Sequence, residues 1–207
     1  MDSINRERML KAIRDFKVVD KELISTYQEG YIGKNVYKVT LVDGSSRRVE
    51  EILKRGVPGD AAVIIPITTE GNVIMVVQSR PNMKETVSIE LPAGMVDSGE
   101  DYQTTAVREM LEETGYEADN VYELEWHYQD QGCSGAIIKT FVAEGCKKKQ
   151  EVRLDEGERL QYVEMSYEDI MNMIKSREIN DANTKIAMME YTLHKKGILW
   201  WIRNMVM

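Results

Sequence analysis

The segment from Gly94 to Tyr116 constrains the chain more than any other, because it places three glutamates on one face of a predicted helix. Glu109, Glu112 and Glu113 stand at positions i, i+3 and i+4, so they project within one turn of each other. Like charges at this spacing destabilise an isolated helix, whereas a divalent cation offsets their repulsion. The spacing therefore predicts a metal-binding helix. The alternative for a lone Glu-x-x-Glu-Glu is a solvated acidic face.

The wider pattern favours the metal site. Residues 94–116 follow the spacing Gly-x5-Glu-x7-Arg-Glu-apolar-x-Glu-Glu-x-Gly-apolar. This spacing resembles the signature box of the Nudix hydrolases at every defined position except the last, where Tyr116 replaces the usual aliphatic residue. The resemblance implies an α/β/α sandwich in which the box forms a loop, a helix and a loop. It also implies hydrolysis of a nucleoside diphosphate linked to another moiety, with Mg²⁺ or Mn²⁺ as the cofactor.

The resemblance also implies roles for single box residues. Glu109 and Glu113 match the positions that usually hold the metal, and Glu112 often assists them. The backbone carbonyl of Ala93, just before the box, commonly supplies a further oxygen. Bound metal neutralises the polyanionic diphosphate and activates a water for in-line attack, which agrees with this set of oxygen ligands.

Arg108 is the basic residue of the box. Its guanidinium can hold a neighbouring carboxylate by a bidentate pair and so fix that side chain. In the family, Glu100 and Arg108 more often orient the loop and the helix than bind the metal. We therefore place Arg108, together with Glu112, among the candidate catalytic residues.

The resemblance extends outside the box over residues 17–195 and favours the ADP-ribose pyrophosphatase branch. The similar segments are 90–101, 157–160 and 179–184. In that branch the general base or an extra metal ligand lies on an acidic loop after the box, which corresponds here to residues 154–158. We expect Glu156 to be the base and Glu158 a supporting metal ligand, although these roles could be exchanged. A solvated acidic turn is the alternative.

One loop departs from that branch. Its members usually carry a proline in a Ser-Pro-Gly-like loop beyond the box, where this chain has Gln131 followed by Gly132 and Ser134. We expect these three residues to contact the substrate. The resemblance implies cleavage of ADP-ribose to AMP and ribose 5-phosphate. The altered loop leaves open another conjugate, such as CDP-choline or a different nucleotide sugar, and a catalytically silent sensor of a nucleotide metabolite is a further alternative.

Three residues outside the box are also candidates for binding substrate. Arg80 follows a strand at the place where the branch often has an arginine that contacts phosphate, although it could equally be a surface cation. Tyr27 and Tyr31 could stack on a base or pack at a dimer interface. Because the N-terminal strands of this branch typically pair across a two-fold axis, we expect a homodimer.

The apolar pattern predicts an α/β protein with a mixed sheet and helices on both of its sides. Strands at 61–67 and 73–77 should be buried on both faces, because each is a continuous run of apolar and β-branched residues. A helix over 100–114 should end at Gly115.

The glycines and the proline at residues 56–59 predict a boundary within the chain. We expect residues 1–56 to form a small N-terminal appendage, a helix followed by a β-rich segment, that serves dimerisation or covers the substrate. Residues 57–207 are expected to form the Nudix hydrolase domain.

Composition narrows the possible partners and location. The chain has 27 basic and 35 acidic residues, a balance that argues against a nucleic-acid partner. Its apolar stretches are too short to span a bilayer, so we expect no membrane association. The first 15 residues lack the apolar core of a secretory signal, and the two cysteines lack a C-x-x-C spacing. These features predict a cytoplasmic protein.

Overall fold

The computed structural model describes residues 3–154, 157 and 159–198. The described residues divide into two compact units. The first unit contains residues up to 59 together with the loop 130–136, and the second contains the described residues of 60–129 and 137–198. The functional division into 1–56 and 57–207 stays a prediction.

The first unit is a helix followed by an antiparallel sheet. Helix α1 and three strands follow one another along the chain, and the sheet has the order β1-β2-β3. The elements are α1 (Ser3–Asp15), β1 (Val18–Glu29), β2 (Ile32–Leu41) and β3 (Ser46–Lys54). Apolar side chains of this helix and of the residue that follows it are exposed, since Ile13 and Phe16 keep 60% and 73% of their surface accessible.

The second unit is built on an eight-stranded mixed sheet. Five strands pair in the order β11-β5-β4-β10-β8, and β6, β7 and β9 pair additionally with β5, β4 and β10, respectively. Among the described strands, only β4 and β10 pair in parallel. The strands are β4 (Ala61–Thr68), β5 (Val73–Ser79), β6 (Val87–Glu90), β7 (Ala93–Met95), β8 (Tyr116–Glu117), β9 (Asn120–Tyr128), β10 (Ile137–Lys148) and β11 (Leu160–Met165). The helices are α2 (Tyr102–Thr114), α3 (Tyr167–Ser176) and α4 (Ala182–Lys195).

Alternate residues of β4 face two different cores, because successive side chains of a strand point to opposite faces. Ala62 and Ile64 pack in one core with Met110 of α2. Val63 and Ile65 pack in the other core, which contains buried residues of α3 and α4. Burying a valine or isoleucine side chain in these cores contributes about 1.5–3 kcal/mol. The predicted α/β/α sandwich with a mixed sheet and doubly buried strands is therefore confirmed.

The structure forms a strand where the sequence indicates a loop. The sequence from Leu91 to Gly94 indicates a loop, but Ala93–Met95 forms β7 and pairs antiparallel with β4. A strand of three residues leaves no periodic pattern, and it is formed by the neighbouring backbone. None of the described helices is long and apolar enough to cross a membrane.

Candidate active site

Helix α2 carries the box and is fixed at both of its ends. The Asp101 carboxylate caps the helix by accepting a hydrogen bond from the Thr104 backbone N–H at 2.8 Å. Gly115 ends the helix in the left-handed conformation with φ of 72°, and its N–H donates to the Leu111 carbonyl. An added Cβ at Gly115 would overlap the Gln150 carbonyl oxygen, so this position requires glycine.

Arg108 is the centre of the box. Its guanidinium donates to both Glu100 oxygens, from Nε at 3.0 Å and from Nη2 at 3.1 Å. Its Nη1 donates to Glu109 at 2.8 Å and to Glu112 at 3.0 Å. The hydrogen bond to Glu100 is the largest cause that raises the pKa of Arg108, and the same bond lowers the pKa of Glu100. One cation therefore orders three carboxylates and keeps Glu100 ionised.

Glu109 and Glu113 lie against β7. Glu113 is only 5% exposed, and its carboxylate accepts a hydrogen bond from the Ala93 N–H at 3.2 Å. Glu109 lies over Gly94, where an added Cβ would overlap its carboxylate. The backbone of β7 and two box glutamates therefore meet closely, and a side chain at position 94 would displace the Glu109 carboxylate.

The donors of this cluster fit a hard divalent cation, because they are carboxylate oxygens and a nearby backbone carbonyl. Among residues 3–154, 157 and 159–198, however, no group of three or more Asp, Glu, His or Cys side chains is arranged to hold a metal ion. Arg108 supplies the positive charge that Glu109 and Glu112 contact. A bound ion would therefore have to draw these carboxylates away from the guanidinium.

The residues that flank the acidic loop are bonded to neighbouring elements. The predicted base Glu156 and the predicted metal ligand Glu158 lie outside the described residues. The Arg153 N–H donates to the Glu112 carbonyl at 2.8 Å, and the Arg159 carbonyl accepts from the Ser79 N–H at 3.1 Å. The residues on both sides of the loop are thus tied to the box helix and to the strand that precedes Arg80.

Arg80 is held by a buried acid that the sequence analysis did not single out. Its Nε and Nη2 donate to the two oxygens of Glu90 at 2.8 and 2.7 Å, and Gln78 also donates to Glu90 at 3.0 Å. Bonding to Glu90 raises the pKa of Arg80 despite partial burial, and the charges of Asp181 and Glu113 act in the same direction. Glu90 is 6% exposed, and its place at the end of a short strand, directly before the apolar Leu91 and Pro92, was the available clue.

The three loop residues that are predicted to contact the substrate belong to the first unit. Gln131, Gly132 and Ser134 lie in a turn organised by Asp130, whose carboxylate accepts from the Gly132 N–H at 3.1 Å and whose carbonyl accepts from the Ser134 N–H at 2.7 Å. The thiol of Cys133 donates to the Asp130 carboxylate at 2.9 Å, and this bond raises the pKa of the thiol.

Tyr27 and Tyr31 also belong to the first unit, whereas the box belongs to the second. Tyr27 is 58% exposed and Tyr31 is 49% exposed. Lys34 and Arg55 place cationic groups 5.7 Å from the centres of the Tyr27 and Tyr31 rings, respectively. Both rings are therefore available at the surface of their unit.

The family model for the NUDIX domain matches residues 57–186. The chain belongs to the Nudix family. This membership and the relatives described next confirm the resemblance drawn from residues 94–116, and they make the chain a hydrolase that acts on diphosphate bonds.

Two relatives of this Nudix hydrolase cover most of its length. The ADP-ribose pyrophosphatase of Bacillus subtilis (strain 168) is 36% identical over 172 residues, which are 83% of this chain and 89% of the relative. The methanol dehydrogenase activator of Bacillus methanolicus is 35% identical, with 83% of this chain and 92% of the relative covered.

More distant similarities agree with this assignment. The GDP-mannose pyrophosphatase of Cronobacter sakazakii is 27% identical, with 88% of this chain and 96% of the relative covered. A crystal structure described as an ADP compounds hydrolase superposes with a TM-score of 0.72 at 19% identity, covering 88% of this Nudix hydrolase and 98% of the solved chain. At that identity the superposition shows the shared fold.

Proposed function

We propose that this Nudix hydrolase cleaves ADP-ribose with water to give AMP and ribose 5-phosphate, using Mg²⁺ or Mn²⁺. The observation that carries the proposal is the carboxylate cluster around Arg108 facing β7, in a chain 36% identical to an ADP-ribose pyrophosphatase. A polyanionic diphosphate requires both neutralisation of its charge and an activated water, and a cluster of oxygen ligands can hold the ion that meets these needs.

Glu109, Glu112, Glu113 and the Ala93 carbonyl are the groups that would hold the ion. When bound, it neutralises charge on the diphosphate and lowers the pKa of a coordinated water. Without the ion, Arg108 neutralises the carboxylates of Glu109 and Glu112, and these carboxylates would turn from the guanidinium to the ion when it binds.

Arg80 is proposed to contact a phosphate of the substrate. Glu90 fixes two of its guanidinium nitrogens, and the side chain of Arg80 remains 46% exposed. A guanidinium fixed in this way offers a positive charge in a defined direction and loses little side-chain freedom on binding.

Glu156 is proposed as the general base and Glu158 as a supporting metal ligand, with exchange of the two roles as the alternative. Two hydrogen bonds support this proposal, because Arg153 bonds to the box helix and Arg159 bonds beside Arg80. The residues that flank the acidic loop are therefore bonded to the backbone of Glu112, whose carboxylate is proposed to hold the ion, and to the backbone of Ser79, which precedes Arg80.

A different conjugate is the second candidate substrate. Gln131 replaces the usual proline of the ADP-ribose branch, and relatives named GDP-mannose pyrophosphatase cover most of the chain. GDP-mannose, CDP-choline or another nucleotide conjugate would then be selected by the loop that holds Gln131, Gly132 and Ser134.

The experiment is a phosphate-release screen, coupled to a phosphatase, with Mg²⁺ and with Mn²⁺. The panel includes ADP-ribose, GDP-mannose, CDP-choline and dinucleoside polyphosphates. We expect ADP-ribose to have the highest kcat/KM and Glu113→Gln to lower kcat at least about a hundredfold, because one metal-binding carboxylate is lost.

The outcomes of the screen separate the alternatives. Preference for GDP-mannose or CDP-choline would replace the substrate and leave the site in place. A Glu113→Gln variant as fast as the wild type would show that the metal assignment is wrong. Binding of nucleotides with no turnover would favour the silent sensor.

We also propose that the chain forms a homodimer through its first unit and acts in the cytoplasm. Apolar residues exposed on β1 and α1 support a protein contact there, and Tyr27 and Tyr31 would either pack in that contact or stack on a substrate base. No nucleic-acid or membrane partner is proposed, because the net charge of −8 disfavours both surfaces.

A further inference from the structure

The segment 90–93, of which the first three residues are buried and Ala93 is partly buried, joins the Arg80 contact to the box carboxylates. At its start, Glu90 binds Arg80, and at its end the Ala93 N–H donates to Glu113. The position of this segment therefore sets the position of the arginine and of a box carboxylate together.

Two hydrogen bonds hold the middle of this segment. The Pro92 carbonyl accepts from the Ile64 N–H at 3.0 Å, which is a contact with the neighbouring strand. The Leu91 N–H donates to the Thr184 hydroxyl oxygen at 2.9 Å, across 93 positions of sequence. Leu91 is 1% exposed and Thr184 is fully buried, so water cannot replace the hydroxyl without rearrangement.

Thr184 is itself held firmly on α4. Its backbone N–H donates to the Asp181 carboxylate at 2.7 Å, and this bond caps the helix. One turn and two turns further on, Met188 and Tyr191 are buried in the core that also contains Leu91. The hydroxyl therefore reaches the segment from a rigid, packed element.

We propose that Thr184 is a positioning residue for the diphosphatase site, and that its hydroxyl sets the placement of the segment 90–93 on which Arg80, Ala93 and Glu113 depend. This inference rests on the proposed function. Thr184 touches neither the metal site nor the proposed phosphate contact, and it acts through the Leu91 backbone.

The test compares variants at two threonines of the same helix. Thr184→Val removes the acceptor with little change of volume, and Thr184→Ser retains it. Thr192→Val is the matched control, because its hydroxyl bonds Met188 and Tyr167 within the helical layer. Measurements are the exchange rate of the Leu91 amide in metal-free protein, the Mn²⁺ dissociation constant, kcat and KM for the best substrate of the screen, and Tm.

We expect Thr184→Val to lose Leu91 amide protection, to bind Mn²⁺ about tenfold more weakly and to lower kcat about tenfold, because an unpaired buried N–H shifts the segment. Thr184→Ser should restore all three to within about twofold of wild type. Thr192→Val should lower Tm and leave Mn²⁺ affinity and kcat unchanged. Should Thr184→Val fail to fold, Thr184→Ala provides a second variant without the hydroxyl.

The inference is overturned if variants without the hydroxyl keep wild-type Mn²⁺ affinity and kcat, or if Thr192→Val impairs both to the same extent. A wild-type protein that neither binds Mn²⁺ nor hydrolyses any conjugate would refute the proposed function, and the inference with it. These two failures are distinguished by the wild-type measurements alone.

Discussion

At the scale of single residues, the box is organised by one cation and one missing side chain. The Arg108 guanidinium donates hydrogen bonds to the carboxylates of Glu100, Glu109 and Glu112. Gly94 leaves the space that the Glu109 carboxylate occupies. The first contact follows from charge, whereas the second is steric, and the two are tested by different substitutions.

Replacing Gly94 with alanine tests the steric contact. The new Cβ would overlap the Glu109 carboxylate and move it, so we expect Mn²⁺ binding to weaken at least about tenfold. The backbone of Gly94 is not left-handed, and Tm should therefore stay close to that of the wild type. Mn²⁺ titration and thermal unfolding measure the two effects.

A double-mutant cycle provides the control for Gly94→Ala. If the substitution acts by moving Glu109, it should have no further effect on metal affinity in a Glu109→Ala background. A further loss of affinity there would mean that the backbone of β7, and not the Glu109 side chain, carries the effect.

At the scale of elements, α2 depends on its two ends. The Asp101 carboxylate caps the first turn, and Gly115 allows the chain to turn back toward Gln150. Because the same helix supplies the box carboxylates and buries Ala106 and Met110, stability and function share one element.

Asp101→Ala should lower Tm by about 2–4 °C at neutral pH, because the Thr104 N–H loses its acceptor. The hydrogen bond from the Thr104 backbone lowers the pKa of Asp101 in the folded protein. A lowered pKa means that the stabilisation is complete above the pKa of the unfolded chain and is lost as the pH falls through the folded value. The difference in Tm between the wild type and Asp101→Ala should therefore decrease as the pH falls.

Asp101→Asn is the matched control for this effect, since its amide oxygen also caps a helix and does not titrate. Its Tm should follow the wild type at neutral pH. A difference between Asp101→Ala and wild type that persists undiminished in acid would contradict the capping explanation.

At the scale of the whole molecule, the first unit exposes apolar surface on its edge strand. Val19, Leu23 and Ile24 of β1 are each at least half exposed, and Phe16, which follows α1, is 73% exposed. An edge strand with such side chains is prone to pair with another copy. This surface is the physical basis for the proposed homodimer.

Light scattering coupled to size-exclusion chromatography should give a molar mass about twice the chain mass of 23.8 kDa. Leu23→Lys places a charge within the apolar surface and should shift the mass toward the monomer. Glu22→Lys, at the neighbouring exposed position, should leave the dimer intact. A wild-type monomer at micromolar concentration, or equal effects of the two variants, would contradict a contact through β1.

Local pattern was enough to predict much of the fold. The alternation and continuity of apolar residues predicted β4 and β5, and the box spacing predicted α2 with its end at Gly115. The same spacing predicted the carboxylates that the structure gathers around Arg108. These features were accessible because helix and strand periods place side chains on a face by local geometry alone.

The family, the helices on both sides of the sheet and the acidic face of α2 could be read from the order of the amino acids. The contacts of Glu90 with Arg80, of β7 with Glu109, and of Thr184 with Leu91 across 93 positions became visible in the folded chain. Such contacts join residues distant in sequence and leave no periodic trace, so they are defined only once packing has brought the elements together.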